Sequence, residues 1–210
     1  MSESIQVYNQ KSEEYDQWFD EYPVLFASEL KALEKVVPKN KFGVEIGIGS
    51  GRFAEKLAID RGLDPSEKMA QLAETRGVKT LIGKAENMPF KENSFDYAVM
   101  ITVDCFLENI PTAFKEVRRI LKPNGKFIIG MIDKNSELGQ SYQKRKHRNP
   151  FYRYATFHTL EAISDQLKKA GFGKFEYWQT LITASEEEPE EPQPGYGEGG
   201  FVVIKSINNN

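Results

Sequence analysis

Between Lys41 and Asp133 the chain alternates between two hydrophobic rhythms. Short runs read as strands: KFGVEIGI (41–48), largely apolar and of the kind buried on both faces, then RGLDPS (61–66), VKTLIGKAE (78–86), FDYAVMIT (95–102) and KFIIGMID (126–133). Between them, GRFAEKLA (51–58), SEKMAQLAETRG (66–77) and PTAFKEVRRILK (111–122) place apolar residues at helical spacing. In the last of these, Phe114, Val117, Ile120 and Leu121 make one stripe. The punctuation agrees with the rhythm. Ser66 stands where an N-cap belongs, Pro111 suits a first helical turn, and Pro123-Asn124-Gly125 is a stop. Strands alternating with helices through short connections predict a parallel sheet covered on both faces.

The flanks read differently. Residues 4–36 predict two helices broken at Tyr22-Pro23, the first carrying Tyr8, Tyr15, Trp18, Phe19 and Tyr22. After Asp133 the alternation stops: residues 134–157 are polar and aromatic and include the basic run KRKHR (144–148). HTLEAISDQLKKAGF (158–172) predicts a helix stopped by Gly171, with His158 at its start and Glu161 at the capping-box position. Two final strands, FEYWQTLIT (175–183) and FVVIKSI (201–207), flank an acidic stretch rich in Pro and Gly that reads as a mobile loop. The expected division is a helical cap over 1–40 and an α/β domain over 41–210 with an insertion at about 134–157.

Composition narrows the function. A chain of 210 residues fits one domain. A net charge of -3 gives no electrostatic reason to expect nucleic acid as a partner. The single cysteine, Cys105, excludes an internal disulfide, and with two histidines it leaves no metal-ligand cluster. No apolar run approaches the ~20 residues of a membrane span, and the polar N-terminus lacks a signal-peptide core, so a cytoplasmic protein is expected.

The chemistry gathers just after the strands, where such sheets bind ligands. After the first comes Gly47-Ile48-Gly49-Ser50-Gly51. A dinucleotide fingerprint needs its third glycine at 52, and Arg52 stands there, which weighs against a dinucleotide oxidoreductase. Asp64, after the second strand, suits a bidentate hold on ribose hydroxyls. Ala85-Glu86-Asn87 follow the third and can read an adenine edge; Thr102 to Phe106 follow the fourth, beside the reactive end. Glu45 and turned backbone carbonyls favour an ammonium rather than a pyrophosphate. An adenosine with a cationic amino-acid tail, S-adenosylmethionine, meets these demands.

VEIGIGSG, GLDPSEKM, GKAENMPF with NSFDYAVM, and EVRRILKPNGKFIIG resemble, in order, the successive motifs of class I S-adenosylmethionine-dependent methyltransferases. They are most similar to the small-molecule type of ubiquinone and menaquinone biosynthesis. The resemblance covers residues 40–133 well and the C-terminal part more loosely. It implies a Rossmann-like fold with a seven-stranded, mostly parallel sheet whose last strand is antiparallel. It also implies roles by position. Glu45, Gly47 and Gly49, with Gly51 in the same loop, hold the methionine moiety. Asp64 holds the ribose, with Pro65 and Met69 nearby. Ala85, Glu86, Asn87 and Met88 surround the adenine, and Thr102 and Val103 lie near the sulfonium. YDQWFD (15–20) resembles a lid element, with Tyr15 and Trp18 closing over the ligands.

Two departures stand out. The segment from Gly51 to Asp64 is short for the family, which makes Asp60 a second ribose candidate. The NPPY-type motif of amino-directed nucleic-acid methyltransferases is absent. The reading is methyl transfer to a small molecule, an amine or an apolar metabolite, by in-line displacement. Tyr15 and Asp104 are the catalytic candidates, beside the titratable His147 and Glu108. The alternative is a non-catalytic S-adenosylmethionine-binding scaffold or regulator. The aromatics Tyr142, Phe151, Tyr152, Tyr154 and Phe157 belong to the region expected to shape the acceptor site.

Overall fold

The structure is a computed structural model that describes residues 2–183 and 185–209. Its centre is an eight-stranded sheet of order β3-β2-β1-β4-β5-β8-β6-β7. β1 (Gly43–Ile46), β2 (Arg61–Asp64), β3 (Lys79–Ile82), β4 (Phe95–Ile101) and β5 (Leu121–Ile132) pair in parallel. β8 (Phe201–Asn208) runs antiparallel between β5 and β6 (Phe172–Thr180). Strand order reverses at β1, so the ends of β1 and β4 diverge there and leave a crevice.

Alternation along each central strand explains why both faces are covered. Ala98 and Met100 of β4, Phe127 and Ile129 of β5, and Val202 and Ile204 of β8 enter one core. That core is closed by α6 (Ile110–Ile120) and α8 (Leu160–Lys169). The intervening Val99, Ile101, Ile128 and Val203 enter a second core, closed by α3 (Pro23–Glu34) and α4 (Arg52–Leu57). α5 (Glu67–Thr75) is capped by Ser66, whose hydroxyl accepts the Met69 N–H at 3.2 Å, as the sequence predicts.

The sheet has eight strands where seven were expected, the additional one being a short edge strand, and several local features also differ from expectation. The N-terminal segment forms three helices, because the chain also breaks at Lys11 (φ -120°), between α1 (Glu3–Gln10) and α2 (Ser12–Glu21). The break follows from docking: Asn9 Oδ1 accepts the Ser66 hydroxyl and the Lys68 N–H, fixing α1 on the start of α5 while α2 turns across the sheet's end. α6 ends at Ile120, and Leu121 already pairs with Phe95 as strand. The insertion contains α7 (Glu137–Arg145), capped by the Ser136 hydroxyl on the Gly139 N–H, and a 3₁₀ turn over Lys146–Arg148. The cap of α8 is Thr159, which accepts the Ala162 N–H at 3.2 Å, not His158.

The acidic stretch is fastened rather than loose. Glu190 accepts the N–H groups of Ile182 and Thr183 and the Thr183 hydroxyl, its own N–H reaches Ser28 Oγ, and Gln193–Pro194 form the short edge strand β7. Among the described residues no helix is long and apolar enough to cross a membrane.

Candidate functional site

A cleft opens at the carboxyl ends of β1, β2 and β4, roofed by α1 and α2. Ten of the residues assigned to cofactor or catalysis line it: Gly47 and Gly49 on one side, Asp64, Pro65 and Met69 on the second, Ala85 and Glu86 on the third, Thr102 and Val103 on the floor, and Tyr15 from the roof.

The loop after β1 is shaped by backbone bonds. The N–H groups of Gly47 and Ile48 both donate to the Leu63 carbonyl, at 2.7 and 3.0 Å, which turns the loop over β2. Gly47 sits at φ +71°, and a Cβ there would stand 2.3 Å from Val103 Cγ2. Gly49, at φ +55°, donates its N–H to Asp64 Oδ2 at 2.8 Å. Asp64 Oδ1 accepts the Ser66 N–H, also at 2.8 Å. Each Asp64 oxygen therefore has one backbone donor and keeps a lone pair for a ligand hydroxyl. On the floor, Thr102 holds φ +53°, an outlying conformation for a β-branched residue, and its N–H is pinned to the Gly130 carbonyl at 2.7 Å.

Two carboxyls beside this loop are strongly shifted by burial. Glu45 is 2% exposed, and its Oε2 has no hydrogen-bond partner among the described residues. Burial, reinforced by the charge of Asp64, pushes the Glu45 carboxyl well up, against the pull of the Ala54 N–H. Burial also lifts Asp64 to about 6, opposed by its bonds from Ser66 and Gly49. Glu45 and Asp64 are thus two buried carboxyls that each keep acceptor capacity the protein does not fill.

Other predicted residues fall off the wall of the cleft. Glu45 lies outside the lining set. Gly51 opens α4, where a Cβ would stand 3.0 Å from the Cα and Cβ of Ala73; it serves the approach of α4 to α5. Asn87 is exposed in a turn closed onto the Lys84 carbonyl. Met88 is buried in the core, its backbone held by Glu116 and Arg119. Asp104 is buried at the start of a 3₁₀ turn (Asp104–Phe106), where desolvation lifts its carboxyl to about 7 against bonds from its own N–H and that of Cys105. Trp18 packs on Phe19 and Tyr22 instead of the cleft. Asp60 is an exposed partner of Arg61. His147 is exposed in the 3₁₀ turn of the insertion.

Sequence reasoning missed part of the wall. Ile5 and Tyr8 of α1 face the cleft, as does Leu107, whereas Phe106, expected beside the reactive end, and Glu108, a titratable candidate, line it as the sequence suggests. Tyr8 carried a visible signal, an aromatic one heptad before Tyr15, and their rings meet edge-on at 5.4 Å. Glu86 Oε1 accepts the N–H groups of Glu108 and Asn109, and Lys84 pairs with Glu108, which joins the loops after β3 and β4.

Arg52, the residue that breaks the dinucleotide spacing, clamps the roof. Its guanidinium spans Asp16 and Asp20 at 2.7–2.9 Å, and Arg76 adds a 2.8 Å bond to Asp16. Burial opposes ionisation of Asp16, yet the Arg52 bonds prevail and hold its carboxyl down to about 2. A depressed carboxyl contributes stability that is present above its unfolded value near 3.8 and is lost as pH falls through about 2. Amide exchange in α1 and α2 is therefore expected to accelerate in acid before the sheet opens, and Arg52→Ala to produce the same local opening at pH 7. Unchanged exchange in the variant would contradict the clamp.

A methyltransferase-domain family profile matches residues 44–129. A ubiquinone/menaquinone biosynthesis C-methyltransferase of Rickettsia felis is 30% identical over 202 residues, covering 80% of this chain and 75% of that protein. The chain belongs to the class I S-adenosylmethionine-dependent methyltransferases, and S-adenosylmethionine is its cofactor. It is similar along nearly its whole length to an uncharacterised protein of Methanocaldococcus jannaschii, 41% identical, with 96% of this chain and 98% of that protein covered. It is also similar to a crystallised S-adenosylmethionine-dependent methyltransferase of Thermotoga maritima, described as a possible histamine N-methyltransferase. That match has a TM-score of 0.93 at 43% identity and covers 97% of this chain and 99% of that one.

Proposed function

We propose that this enzyme methylates a small molecule by in-line displacement, with the cofactor in the cleft over β1, β2 and β4. The observation that carries the placement is the partnerless Glu45 Oε2 beside Asp64, next to a loop whose Gly47 leaves no room for a Cβ against Val103. Glu45 then meets the ammonium of the methionine moiety, and Asp64 accepts the ribose hydroxyls through its free lone pairs. Pro65 and Met69 pack beside the sugar, Ala85 and Glu86 border the adenine, and Thr102 and Val103 lie by the sulfonium.

When bound, S-adenosylmethionine supplies a methyl group whose carbon–sulfur bond pair leaves with sulfur as the acceptor's lone pair bonds to carbon. The protein's share is alignment and exclusion of water, and positioning of this kind supplies roughly 7–11 kcal/mol. Tyr15 serves from the roof as a wall. Burial, then the charges of Asp64 and Glu45, raise its phenol, so it stays protonated at neutral pH. Asp104 stands behind the wall, one residue beyond Val103, and its part is to hold the 3₁₀ turn that aims Val103 and Phe106.

The test is transfer of labelled methyl from S-adenosylmethionine to fractionated metabolites. The expected result is label in a low-mass acceptor with equimolar S-adenosylhomocysteine. Tight cofactor binding with no transfer to any fraction would favour the scaffold reading and overturn this one.

A further inference from the structure

A helix of eight residues is too short to hold by itself in water, and α1 has neither a side-chain cap at its start nor a basic residue in its last turn. Ile5 is its one buried residue. A few tertiary contacts must therefore seat it. The most directed of them belong to Asn9, whose Oδ1 accepts the Ser66 hydroxyl at 2.9 Å and the Lys68 N–H at 3.1 Å. Both partners open α5, and the Lys68 N–H is one of the donors that a helix start leaves without an internal acceptor. Asn9 thus completes the cap of α5 from another helix, beside the Ser66 hydroxyl that takes the Met69 N–H.

The groups that Asn9 holds belong to the cleft. Ser66 lines it, and the Ser66 N–H donates to Asp64 Oδ1 at 2.8 Å. Two hydrogen bonds therefore lead from the Asp64 carboxylate to the Asn9 side chain. Asn9 directly follows Tyr8, and Tyr8 and Ile5 both lie on the cleft wall. The Tyr8 ring meets Tyr15 edge-on at 5.4 Å and Phe106 edge-on at 5.6 Å. Phe106 belongs to the 3₁₀ turn after β4. Tyr15 lies over the loop after β1, its ring edge 3.5 Å from where a Cβ on Gly49 would stand. Tyr8 so joins the groups that cover β1 to those that follow β4, and Asn9 ties the same turn of helix to the end of β2.

We infer that Ile5 and Tyr8 are part of the cofactor site and that Asn9 is the positioning residue that keeps them over it, so that its two bonds set how fast the cofactor leaves. The inference rests on the proposed function, in which the cofactor occupies this cleft. A roofed ligand leaves when a wall moves, and the wall that moves is the one held least. The floor and sides are built on strands fixed by their ladders, whereas side chains hold α1. Lifting α1 breaks the two Asn9 bonds and the ring contacts of Tyr8 and leaves the sheet untouched. Asn9 is not on the cleft wall itself, so it acts through Ile5, Tyr8 and Ser66.

The test is surface plasmon resonance of S-adenosylhomocysteine on the immobilised full chain and its variants. Asn9→Leu, which removes the acceptor at similar size, is expected to release the ligand roughly tenfold or more faster. Asn9→Asp keeps an acceptor oxygen at the start of α5, where negative charge is favoured, and is expected to restore slow release. Ile5→Ala/Tyr8→Ala is expected to release the ligand fast, and adding Asn9→Leu to it to bring little further acceleration, because the side chains it positions are gone. A merely structural Asn9 would give the same factor in both backgrounds. Wild-type release from Asn9→Leu, fast release from Asn9→Asp, or full additivity overturns the inference. If Asn9→Leu does not fold, Ile5→Ala/Tyr8→Ala decides: release at the wild-type rate overturns the inference. A wild-type chain that does not bind S-adenosylhomocysteine strikes the proposed function and the inference with it, whereas binding with unchanged release in the variants strikes the inference alone.

Discussion

Asp64→Ala is expected to lower the affinity for S-adenosylhomocysteine by roughly 100-fold or more while leaving the sheet intact. Two ligand hydroxyls lose a charged acceptor, and hydrogen bonds to charged groups contribute about 1.5–3 kcal/mol each. The loop is also released, because the Gly49 and Ser66 N–H groups both end on this carboxylate. The stability change at neutral pH is expected to be smaller than the binding change. Asp64 is held up at about 6 in the folded protein against 3.8 in the unfolded chain. Its contribution to apo stability is therefore fully present below the unfolded value and is lost as pH rises through about 6. Removing it costs the loop two acceptors and also relieves a buried charge. Calorimetric titration of both proteins checks the prediction, and equal affinities would contradict it.

Gly47→Ala is expected to cost about 2–5 kcal/mol of stability and to abolish cofactor binding. A left-handed conformation penalises an L side chain by roughly 1–2 kcal/mol. The new methyl would also lie 2.3 Å from Val103 Cγ2, and overpacking of this kind costs about 1–3 kcal/mol. For a chain of this size the melting temperature should fall by roughly 5–15 °C. The double variant Gly47→Ala/Val103→Ala removes the contact but not the backbone strain, so it should regain only part of the loss. A melting temperature unchanged in Gly47→Ala would show that the loop is not held as described.

The centre of the sheet was legible because β1 and β4 are nearly continuous buried apolar runs, and because Ser66 and Pro111 mark the starts of α5 and α6 in the chain; β3, with Leu81 and Ile82 exposed, was legible from its apolar composition alone. The ligand ends of the strands were legible for the same reason, since Asp64 and Thr102 directly follow apolar runs. What the sequence hid depends on contacts distant along the chain. The break at Lys11 answers to Asn9 gripping Ser66 and Lys68, more than fifty residues away. The acidic stretch looked loose by composition, yet Glu190 is spent on the end of β6, and Gln193–Pro194 add an edge strand there. Thr159 outranked His158 as a cap because its hydroxyl can accept the Ala162 N–H.

The position of the bound cofactor is the most direct test. A crystal structure with S-adenosylhomocysteine bound is predicted to show the ribose hydroxyls on the Asp64 carboxylate, the amino group at Glu45 and the sulfur beside Thr102 and Val103. Electron density for the ligand away from Asp64, with Glu45 Oε2 still unpaired, would contradict it.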